Sequence, residues 1–591
     1  MSIVERHLEE LTDAFWLALP DRLAALRDLL ASDPDAFFLA VRQAMDWRDA
    51  WSMIALGRVL QESNALRGPD AHRMSFATRL GEALLTQHRF AEALAALQDA
   101  RLAEDAGHKY WSHLARALAG VGRLDEAHAS VCRALVLRPN FEEGRKLREV
   151  LESTIALQRI DAGAGLDWTG LRRLAEGYVE LGLLAPARVL LTRAVQHPPA
   201  GANDLRRDLI SVLEAAAELI DPADVLALDV VLKPETRISD RLAALRVRCM
   251  VRQGRAAATC STHAETSGGP DLHLQLALAC AEAGDLDAAI RRLGRLSLDW
   301  PQNNEIRNTL AWCVGRDVLG RTAVEPGPAA GRRRIFNLVT FNDELTMLEL
   351  RLAEMADWVD HIVIVEAGQT FTGAPKPLHF RDNAARFSAY GAKLLHVAID
   401  RFPDHVDSPW ARDFHQRDMA IAALCGRAGP EDLVLLTDAD EIVDRRALES
   451  FDGEFACLKM GLFRYFLNYR PTSDAQPQRR TAAVWKAGHL QRFGSSYARF
   501  GLSRFPGAGA VIERSGWHFT SVLDPAAIVA KVNSYAHQER EDLWRDEVLV
   551  ADRLDQIRRG EGDPGWERCV IDDSFPRYVR DNAAALADLI L

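Results

Sequence analysis

The sequence predicts two architectures in one chain, an α-solenoid of helical repeats followed by an α/β domain with a mostly parallel sheet. Three observations lead to this prediction. Small and apolar residues recur at a fixed spacing in the first half of the 591 residues, apolar strands alternate with helices in the second half, and a stretch rich in glycine, proline and alanine lies between the halves. We expect repeats over residues 1–315, a linker over 316–333, and an α/β domain with a C-terminal helical tail over 334–591.

Composition excludes several classes of protein. The formal net charge of -12 argues against a general binder of nucleic acid or anionic membranes, because no wide positive surface would offset phosphate repulsion. The eight cysteines form no Cys-x-x-Cys pair, so we expect neither a zinc site nor a disulfide framework, and a reducing compartment. The first twenty residues lack a secretion signal, and no apolar stretch is long enough to span a membrane. We therefore expect a cytoplasmic protein.

A set of six positions returns 34 residues later in the first half. The first copy consists of Gly81, Leu84, Phe90, Ala93, Leu97 and Ala100, and the second of Ala115, Leu118, Leu124, Ala127, Val131 and Ala134. The pattern resembles the tetratricopeptide repeat, a pair of antiparallel helices. Its small residues let the helices approach closely, and Gly122 permits the tight turn between them.

The array continues beyond these two copies. Further copies begin near Leu174 and Ala277, whereas the helical stretches 1–75 and 201–265 lack the signature, as capping or degenerate repeats do. An unrelated helical bundle is the alternative. Since a solenoid offers a concave groove, we expect a protein or peptide ligand there.

Strands and helices alternate from residue 335 onward. The expected strands are 335–341, 361–366, 392–399 and 432–437, and a helix over 410–424 precedes the last of them. Alternation of this kind predicts a mostly parallel sheet covered by helices. The carboxyl ends of its strands then share one edge, which is where open α/β sheets bind ligands.

Three acids end the strand at 432–437, namely Asp438, Asp440 and Glu441. Side chains two positions apart on an extended segment point the same way, so Asp438 and Asp440 can hold one hard divalent cation with a phosphate oxygen as a further ligand. The alternative is an ordinary helix cap before Ala447.

Several short blocks in the second half carry a resemblance to a known family. They are Phe-Asn-Asp-Glu at 341–344, Thr-Phe-Thr-Gly at 370–373, Asp-Ala-Asp-Glu-Ile at 438–442 and Ser-Gly-Trp-His-Phe at 515–519. Their order and spacing resemble glycosyltransferase family 17, which contains the β-1,4-mannosyl-glycoprotein β-1,4-N-acetylglucosaminyltransferases. The resemblance covers residues 334–591. It implies a GT-A fold, a UDP-sugar donor, a divalent metal (Mn²⁺ or Mg²⁺) and inversion at the anomeric carbon.

The sequence departs from the family at two points. Val443 stands where a proline commonly follows the acidic block, and we expect no membrane anchor of the kind that the Golgi members carry. We therefore do not expect a complex N-glycan as acceptor.

The resemblance also implies roles for individual residues. Asp438 and Asp440 are expected at the metal and at the ribose and diphosphate of the donor, with His518 as a further metal ligand. The strand ends are expected to contact the nucleotide through Phe341, Asn342, Glu344 and Glu366. A satisfied core histidine and plain turn acids are the alternatives.

A helix that begins at residue 409 carries three further candidates. Arg412, Gln416 and Arg417 lie close together on its surface, and guanidinium groups bind diphosphate oxygens in bidentate fashion. A ladder of salt bridges with Asp413 and Asp418 is the alternative.

An inverting transfer needs a base for the acceptor hydroxyl. Asp474 and Glu513 are candidates by their position after the metal strand.

The expected function is a metal-dependent inverting transfer of a sugar, N-acetylglucosamine from its UDP donor, to a glycan or protein recruited by the repeats. The first alternative is a catalytically silent adaptor that binds a nucleotide-sugar. The second is a phosphatase of the haloacid dehalogenase type with Asp438 as nucleophile, which the strands preceding the motif disfavour.

Overall fold

The computed structural model describes the chain except for residues 1–2, 48–49, 64–69, 100–105, 164, 197–239, 263–268, 323–326, 328–331, 450, 473–479, 502–509 and 537–541. The chain packs into two compact units, Met1–Ala283 and Gly284–Leu591. No helix among the described residues is long and apolar enough to cross a membrane.

The first unit is helical wherever it has regular structure in the described residues. Its helices are α1 (Ile3–Ser32), α2 (Pro34–Trp47), α3 (Ala50–Ser63), α4 (Asp70–Thr86), α5 (Phe90–Asp99), α6 (His108–Gly120), α7 (Leu124–Leu137), α8 (Glu142–Gly163), α9 (Trp168–Glu180), α10 (Leu184–Gln196), α11 (Asp240–Arg252), α12 (Ala256–Thr262) and α13 (Pro270–Glu282). Much of the degenerate stretch expected at 201–265 lies outside the described residues.

Helix pairs of the first unit show why small residues recur. A Cβ on Gly81 would lie 2.8 Å from the Leu97 side chain, so a larger residue in α4 would require this side chain of α5 to shift. The turn between α6 and α7 has a positive φ at Gly122 (83°), and His88 holds the same place between α4 and α5 (55°). A left-handed turn residue after the first helix is therefore part of the repeat.

One expectation from composition is wrong. Cys260 and Cys280 form a disulfide between α12 and α13, with Cα atoms 5.0 Å apart and a sequence separation of 20. The two cysteines meet only because these helices pack side by side. The spacing of the two cysteines in the sequence does not predict this disulfide.

The second unit begins with two helices and continues as an α/β domain. Its helices are α14 (Leu286–Asp299), α15 (Asn304–Thr322), α16 (Leu345–Met355), α17 (His379–Asp382), α18 (Pro409–Leu424), α19 (Ala487–Phe493), α20 (Ser495–Phe500), α21 (Pro525–Ser534), α22 (Glu547–Arg558) and α23 (Arg577–Asp581). Its strands are β1 (Ile335–Thr340), β2 (His361–Ala367), β3 (Leu394–Ile399), β4 (Leu433–Asp438), β5 (Glu441–Val443), β6 (Phe455–Arg464), β7 (Tyr469–Pro471), β8 (Arg480–Lys486), β9 (Ala510–Thr520) and β10 (Trp566–Arg568).

The start of the expected linker is helical. Helix α15 runs to Thr322, and its Asp317 and Val318 are 5% and 1% exposed. It packs against α18 and α20. Burial of this face explains why the helix continues past residue 315, where the sequence pattern ends.

Eight strands form one sheet in the order β3-β2-β1-β4-β8-β6-β9-β5. Strands β3, β2, β1 and β4 are mutually parallel. Strand β8 runs antiparallel to β4 and β6, β6 and β9 are parallel, and β5 is antiparallel to β9. The predicted combination of a helical region with a mostly parallel α/β domain is confirmed. The carboxyl ends of β1, β2 and β4 lie at one edge.

Candidate functional site

Strand pairing brings the sequence candidates to one place. Thr340 at the end of β1 pairs with Asp438 at the end of β4, and Glu441 of β5 pairs with His518 of β9. The Asp-x-Asp segment therefore crosses from the parallel part of the sheet to its far edge strand. We call the group formed by Glu344, Asp438, Asp440, His518 and Lys531 the strand-end site.

The carboxylate of Asp438 lies between two guanidinium groups. Nη1 of Arg417 is 2.5 Å from its Oδ1, and Nη2 of Arg499 is 2.7 Å from its Oδ2. Partial burial opposes charge on Asp438, but the two arginines outweigh this effect and hold its pKa well below the usual range. Both carboxylate oxygens are thus engaged by the protein itself.

Buried side chains hold the turn that follows β4 in place. Glu441 is fully buried and accepts from the main-chain N of Asp438 (2.8 Å) and from Arg499 (3.0 Å). Arg351 of α16 is also fully buried and donates to the main-chain O of Glu441 (2.6 Å). Burial lowers the pKa of Arg351 to about 10 although three acids are near. The Asp-x-Asp turn is consequently a preorganised part of the core.

Asp440 has a different environment. Nζ of Lys531 lies 3.0 Å from its Oδ2 and 3.3 Å from Oε1 of Glu344. Burial acts against charge on Asp440, yet Lys531 and His518 more than compensate and lower its pKa. Burial likewise opposes charge on Lys531, but Asp440 and Glu344 raise its pKa far above the usual value. The ammonium group therefore bridges two carboxylates.

His518 is available as a ligand. Its Nε2 is 3.6 Å from Oδ1 of Asp440, which is too long for a good hydrogen bond. Its buried Nδ1 has no hydrogen-bond partner among the described residues. A carboxylate oxygen beside an imidazole whose Nδ1 has no hydrogen-bond partner among the described residues suits Mn²⁺ or a similar ion. Asp440 and His518 fit a divalent cation, whereas both oxygens of Asp438 already accept from arginine.

A second acidic cluster lies elsewhere in the same unit. In the described part of the chain, one group of three acidic or histidine residues has its ligand atoms all within 4.8 Å of one another, and it consists of Asp287, Asp317 and His405. Arg321 offsets part of its negative charge, with Nε 2.6 Å from Asp317 and Nη2 3.1 Å from Asp287. The ligand atoms of the expected set, Asp438, Asp440 and His518, are not as close to one another as those of this cluster.

Several of the expected nucleotide contacts have partners within the protein. Glu366 is fully buried and accepts from the main-chain N of Phe380 and Arg381 (2.9 Å each). Gln416 donates to the main-chain O of Phe341 (3.2 Å) and of Val365 (2.8 Å), so it ties the ends of β1 and β2 together. A direct role for Glu366 or Gln416 at the nucleotide stays a prediction.

The remaining candidates border the site. The main-chain N of Asn342 donates to Oε2 of Glu344 (3.2 Å), which orients the carboxylate that also meets Lys531. Arg412 donates to the main-chain O of Phe371 (2.9 Å). These contacts shape the loops after β1 and β2.

Neither candidate base is assigned by the structure. Glu513 pairs with Lys459 at 2.9 Å, and its side chain is 55% exposed. Asp474 lies outside the described residues. Each stays a prediction.

Sequence reasoning missed Arg351, Arg499 and Lys531. They belong to α16, α20 and α21, and only tertiary packing brings the three helices to β4. Arg351 carried one signal, because it falls three residues after Leu348 on the apolar face of its helix. A charged residue on such a face requires a buried partner.

Comparison with known proteins agrees with the resemblance in the second half. Residues 326–562 match glycosyltransferase family 17. The β-1,4-mannosyl-glycoprotein 4-β-N-acetylglucosaminyltransferases of Rattus norvegicus and Homo sapiens are each 32% identical over 130 residues, a match that covers 20% of this chain and 24% of the relative. The chain therefore spans about a quarter of the length of these curated relatives.

The first half has more distant likenesses. A tetratricopeptide repeat protein from Parabacteroides merdae is 11% identical, with 46% of this chain and 97% of that chain covered and a TM-score of 0.20. Because that score is low, we assign the repeats from the helix pairs and turns described above.

The segment that holds the strand-end site, residues 326–562, matches the family indicated by the sequence blocks, so the resemblance to glycosyltransferase family 17 is confirmed.

Proposed function

We propose that the protein is a metal-dependent inverting glycosyltransferase. It transfers N-acetylglucosamine from its UDP donor to a glycan or protein acceptor, and the repeat helices recruit that acceptor. One observation carries the proposal. Asp440 and His518 face each other beside a lysine at the carboxyl edge of the sheet, inside the segment that matches family 17.

The nucleotide is proposed to lie at the ends of β1 and β2. Lys376 donates to the main-chain O of Asn342 (3.3 Å), and Gln416 joins the two strand ends, so hydrogen bonds connect the loops at this edge. The nucleobase and ribose would contact the loop of Phe341, Asn342 and Glu344, with Arg412 on the neighbouring surface. Carbonyl and amide groups of strand-end loops are suited to such recognition.

The diphosphate is proposed to lie against the cationic side of the site. Arg417 and Arg499 keep Asp438 charged and fixed, so this acid can accept from the ribose hydroxyls through its exposed edge. Asp440 and His518 would hold a divalent cation, Mn²⁺ or Mg²⁺, which when bound supplies Lewis-acid assistance to the departing diphosphate. Lys531 adds a positive charge on the same side.

Inversion requires an acceptor hydroxyl to attack the anomeric carbon from the face opposite the diphosphate. A bond to the acceptor oxygen forms while the bond to the UDP oxygen breaks, and a base takes the hydroxyl proton. We keep Asp474 and Glu513 as the proposed bases. Replacing the true base by its amide should lower kcat about 10²–10⁴-fold without changing affinity for UDP, so paired assays of Asp474→Asn and Glu513→Gln decide between them.

The test of the proposal is release of UDP by the purified full chain. UDP-N-acetylglucosamine, UDP-glucose and UDP-galactose are each supplied with Mn²⁺, with EDTA in parallel. We expect one donor to be turned over, and EDTA or Asp440→Asn to stop the reaction. Absence of UDP release and of transfer from every donor would contradict the proposal. Tight binding without turnover would favour the silent adaptor.

We also propose a cytoplasmic location, because the eight cysteines are dispersed and form no Cys-x-x-Cys pair. The Cys260–Cys280 disulfide is unusual for a reducing compartment. Alkylation of thiols in freshly lysed cells, followed by mass spectrometry, tests it. Fully alkylated Cys260 and Cys280 support a cytoplasmic location, whereas a protected pair contradicts it.

A further inference from the structure

Lys531 lies where a cation is required. Its Nζ contacts Oδ2 of Asp440 and Oε1 of Glu344, and the side chains of these acids are only 9% and 8% exposed. Two carboxylates withdrawn from water need a positive partner, and the ammonium group supplies it. In this structure the protein itself thus neutralises Asp440.

The backbone that carries Lys531 is fixed, whereas its side chain can move. The main-chain N of Phe371 donates to the main-chain O of Ser534 (3.0 Å), and Thr372 Oγ1 donates to the main-chain O of Asn533 (3.2 Å). These bonds attach the end of α21 to the loop after β2. The lysine ammonium is a compact charge on a flexible stem of four carbons, and 22% of the side chain is exposed. The charge can therefore swing without movement of the helix.

The other cations of the site lack this freedom. Arg499 is 2% exposed in its side chain and shares its guanidinium between Asp438 and Glu441. Arg417 is 12% exposed and is shared between Asp438 and Asp413. Only Lys531, among the described cations in contact with Asp438 or Asp440, is both partly exposed and flexible.

A divalent cation on Asp440 and His518 would meet the ammonium group of Lys531 at close range. Like charges in a buried site repel strongly because little water screens them. Tight metal binding therefore requires Lys531 to leave Asp440. A diphosphate supplies anionic oxygens that can accept hydrogen bonds from the ammonium group. Glu344 alone would hold the ammonium group of Lys531 less strongly than Asp440 and Glu344 do together.

We propose that Lys531 holds the cation position at Asp440 in the donor-free protein, and that a divalent ion binds tightly only together with a nucleoside diphosphate, whose oxygens take over the lysine. This inference rests on the proposed function, because it assumes that metal and donor share the strand-end site. It adds that the metal site is incomplete without the nucleoside diphosphate, and the diphosphate site is incomplete without the metal. Lys531 is a positioning residue for the metal and a binding residue for the diphosphate.

The experiment measures Mn²⁺ binding to the full chain by electron paramagnetic resonance, with and without UDP, and UDP binding by calorimetry in EDTA. The variant is Lys531→Met. The matched control is Lys486→Met, since Lys486 also bridges two carboxylates, Glu431 (2.8 Å) and Glu454 (2.9 Å), but at the opposite end of β4.

We expect the unmodified protein to bind Mn²⁺ at least tenfold more tightly with UDP than without it. Lys531→Met should bind Mn²⁺ without UDP at least tenfold more tightly than the unmodified protein, and should bind UDP in EDTA at least tenfold more weakly. Lys486→Met should match the unmodified protein in all three measurements. Lys531→Arg, which keeps the charge, should retain the dependence on UDP and remains informative if Lys531→Met fails to fold.

Equal Mn²⁺ affinity of the unmodified protein and Lys531→Met, both without UDP, would overturn the inference and leave the proposed function standing. Absence of Mn²⁺ binding in every sample, while UDP-N-acetylglucosamine is still turned over in EDTA, would overturn the inference together with the metal dependence. If EDTA abolishes turnover of UDP-N-acetylglucosamine while Lys531→Met and Lys486→Met bind Mn²⁺ and UDP equally well, the inference alone would be overturned.

Discussion

Two acids at one strand end, Asp438 and Asp440, are held in different ways. Asp438 lies between two guanidinium groups whose side chains are almost completely buried. Asp440 lies between a flexible ammonium group and an imidazole that makes no good hydrogen bond to it. An Asp-x-Asp triplet therefore need not provide two equivalent metal ligands.

The difference follows from the chemistry of the cations. Guanidinium groups stay charged, donate in a fixed plane and can serve two carboxylates at once, so they make a permanent anchor. An ammonium group is a point charge on a mobile stem and is displaced more easily. Two arginines therefore anchor Asp438, whereas the cation beside Asp440 is the one that we propose to be exchanged.

The largest expected effect is on chemistry at the exchangeable side. Asp440→Asn removes the charge that would hold the divalent cation, so we expect turnover of UDP-N-acetylglucosamine to fall about 10³-fold. The melting temperature should change little, because Lys531 keeps Glu344 as partner. A donor-turnover assay and a thermal melt check both statements. Asp452→Asn, at an exposed acid paired with Arg333, is the control. Unchanged turnover by Asp440→Asn would contradict the proposed difference between Asp438 and Asp440.

The second effect is on stability at the anchored side. Asp438→Asn leaves Arg417 and Arg499 each short of one carboxylate. Breaking a buried ion pair costs about 3–5 kcal/mol. We expect about 2–3 kcal/mol here, because Asp413 and Glu441 remain as partners and Asp438 is partly exposed. Denaturant unfolding at pH 7 measures this loss. If Asp438→Asn lost less stability than Asp440→Asn, Asp440 and not Asp438 would be the acid that stabilises the fold.

A third buried acid, Asp418, sharpens the comparison because the hydrogen bonds that it accepts from the described residues come from neutral groups. Asp418 accepts from Ser495 Oγ (2.8 Å) and the main-chain N of Ser496 (2.9 Å), while its Oδ2 has no hydrogen-bond partner among the described residues. Burial raises the pKa of Asp418 to about 6. The folded protein then binds a proton between about pH 4 and pH 6 that the unfolded chain does not, so this group favours folding at low pH and opposes it as pH rises through 6.

Asp418→Asn should therefore stabilise the protein at pH 8 by about 1–2 kcal/mol. This is less than the full shift implies, because the new amide also lacks a partner on one side. The gain should shrink as pH falls below 6 and vanish near pH 4. Unfolding free energies of both proteins across this range measure it. A gain that is independent of pH would contradict the assigned ionisation.

The smallest expected effect concerns the second acid at Lys531. Glu344→Gln removes one of the two charges that hold the ammonium group but leaves Asp440. We expect Mn²⁺ affinity without UDP to change only about two- to fivefold, since an ion pair retains most of its strength when its closer partner remains. Titration of Mn²⁺ measures it. A change as large as that of Lys531→Met would show that Glu344, and not Asp440, anchors the lysine.

Sequence patterns predicted the elements whose signal is local. The 34-residue spacing predicted the helix pairs, and the apolar run before Asp438 predicted β4 and the edge at which it ends. His518 was found because it falls within a family block. Arg417 was expected at the donor diphosphate, which stays a prediction, and in this structure it contacts Asp413 and Asp438.

The rest depended on packing between distant segments. Lys531 lies 91 residues from Asp440 in sequence, and no periodicity indicates that they meet. Arg499 comes from a short helix with no motif of its own. Cys260 and Cys280 meet through the packing of two helices. Buried charge partners of this kind follow from tertiary structure, because each element alone would place its charge in water.

Anomalous diffraction at the manganese edge, from crystals of the full chain grown with UDP and Mn²⁺, tests the central claim most directly. We predict one strong peak beside Asp440 and His518, with Lys531 turned from Asp440 to the diphosphate. A manganese ion only at Asp287, Asp317 and His405, or a nucleotide bound away from the end of β4, would contradict this account.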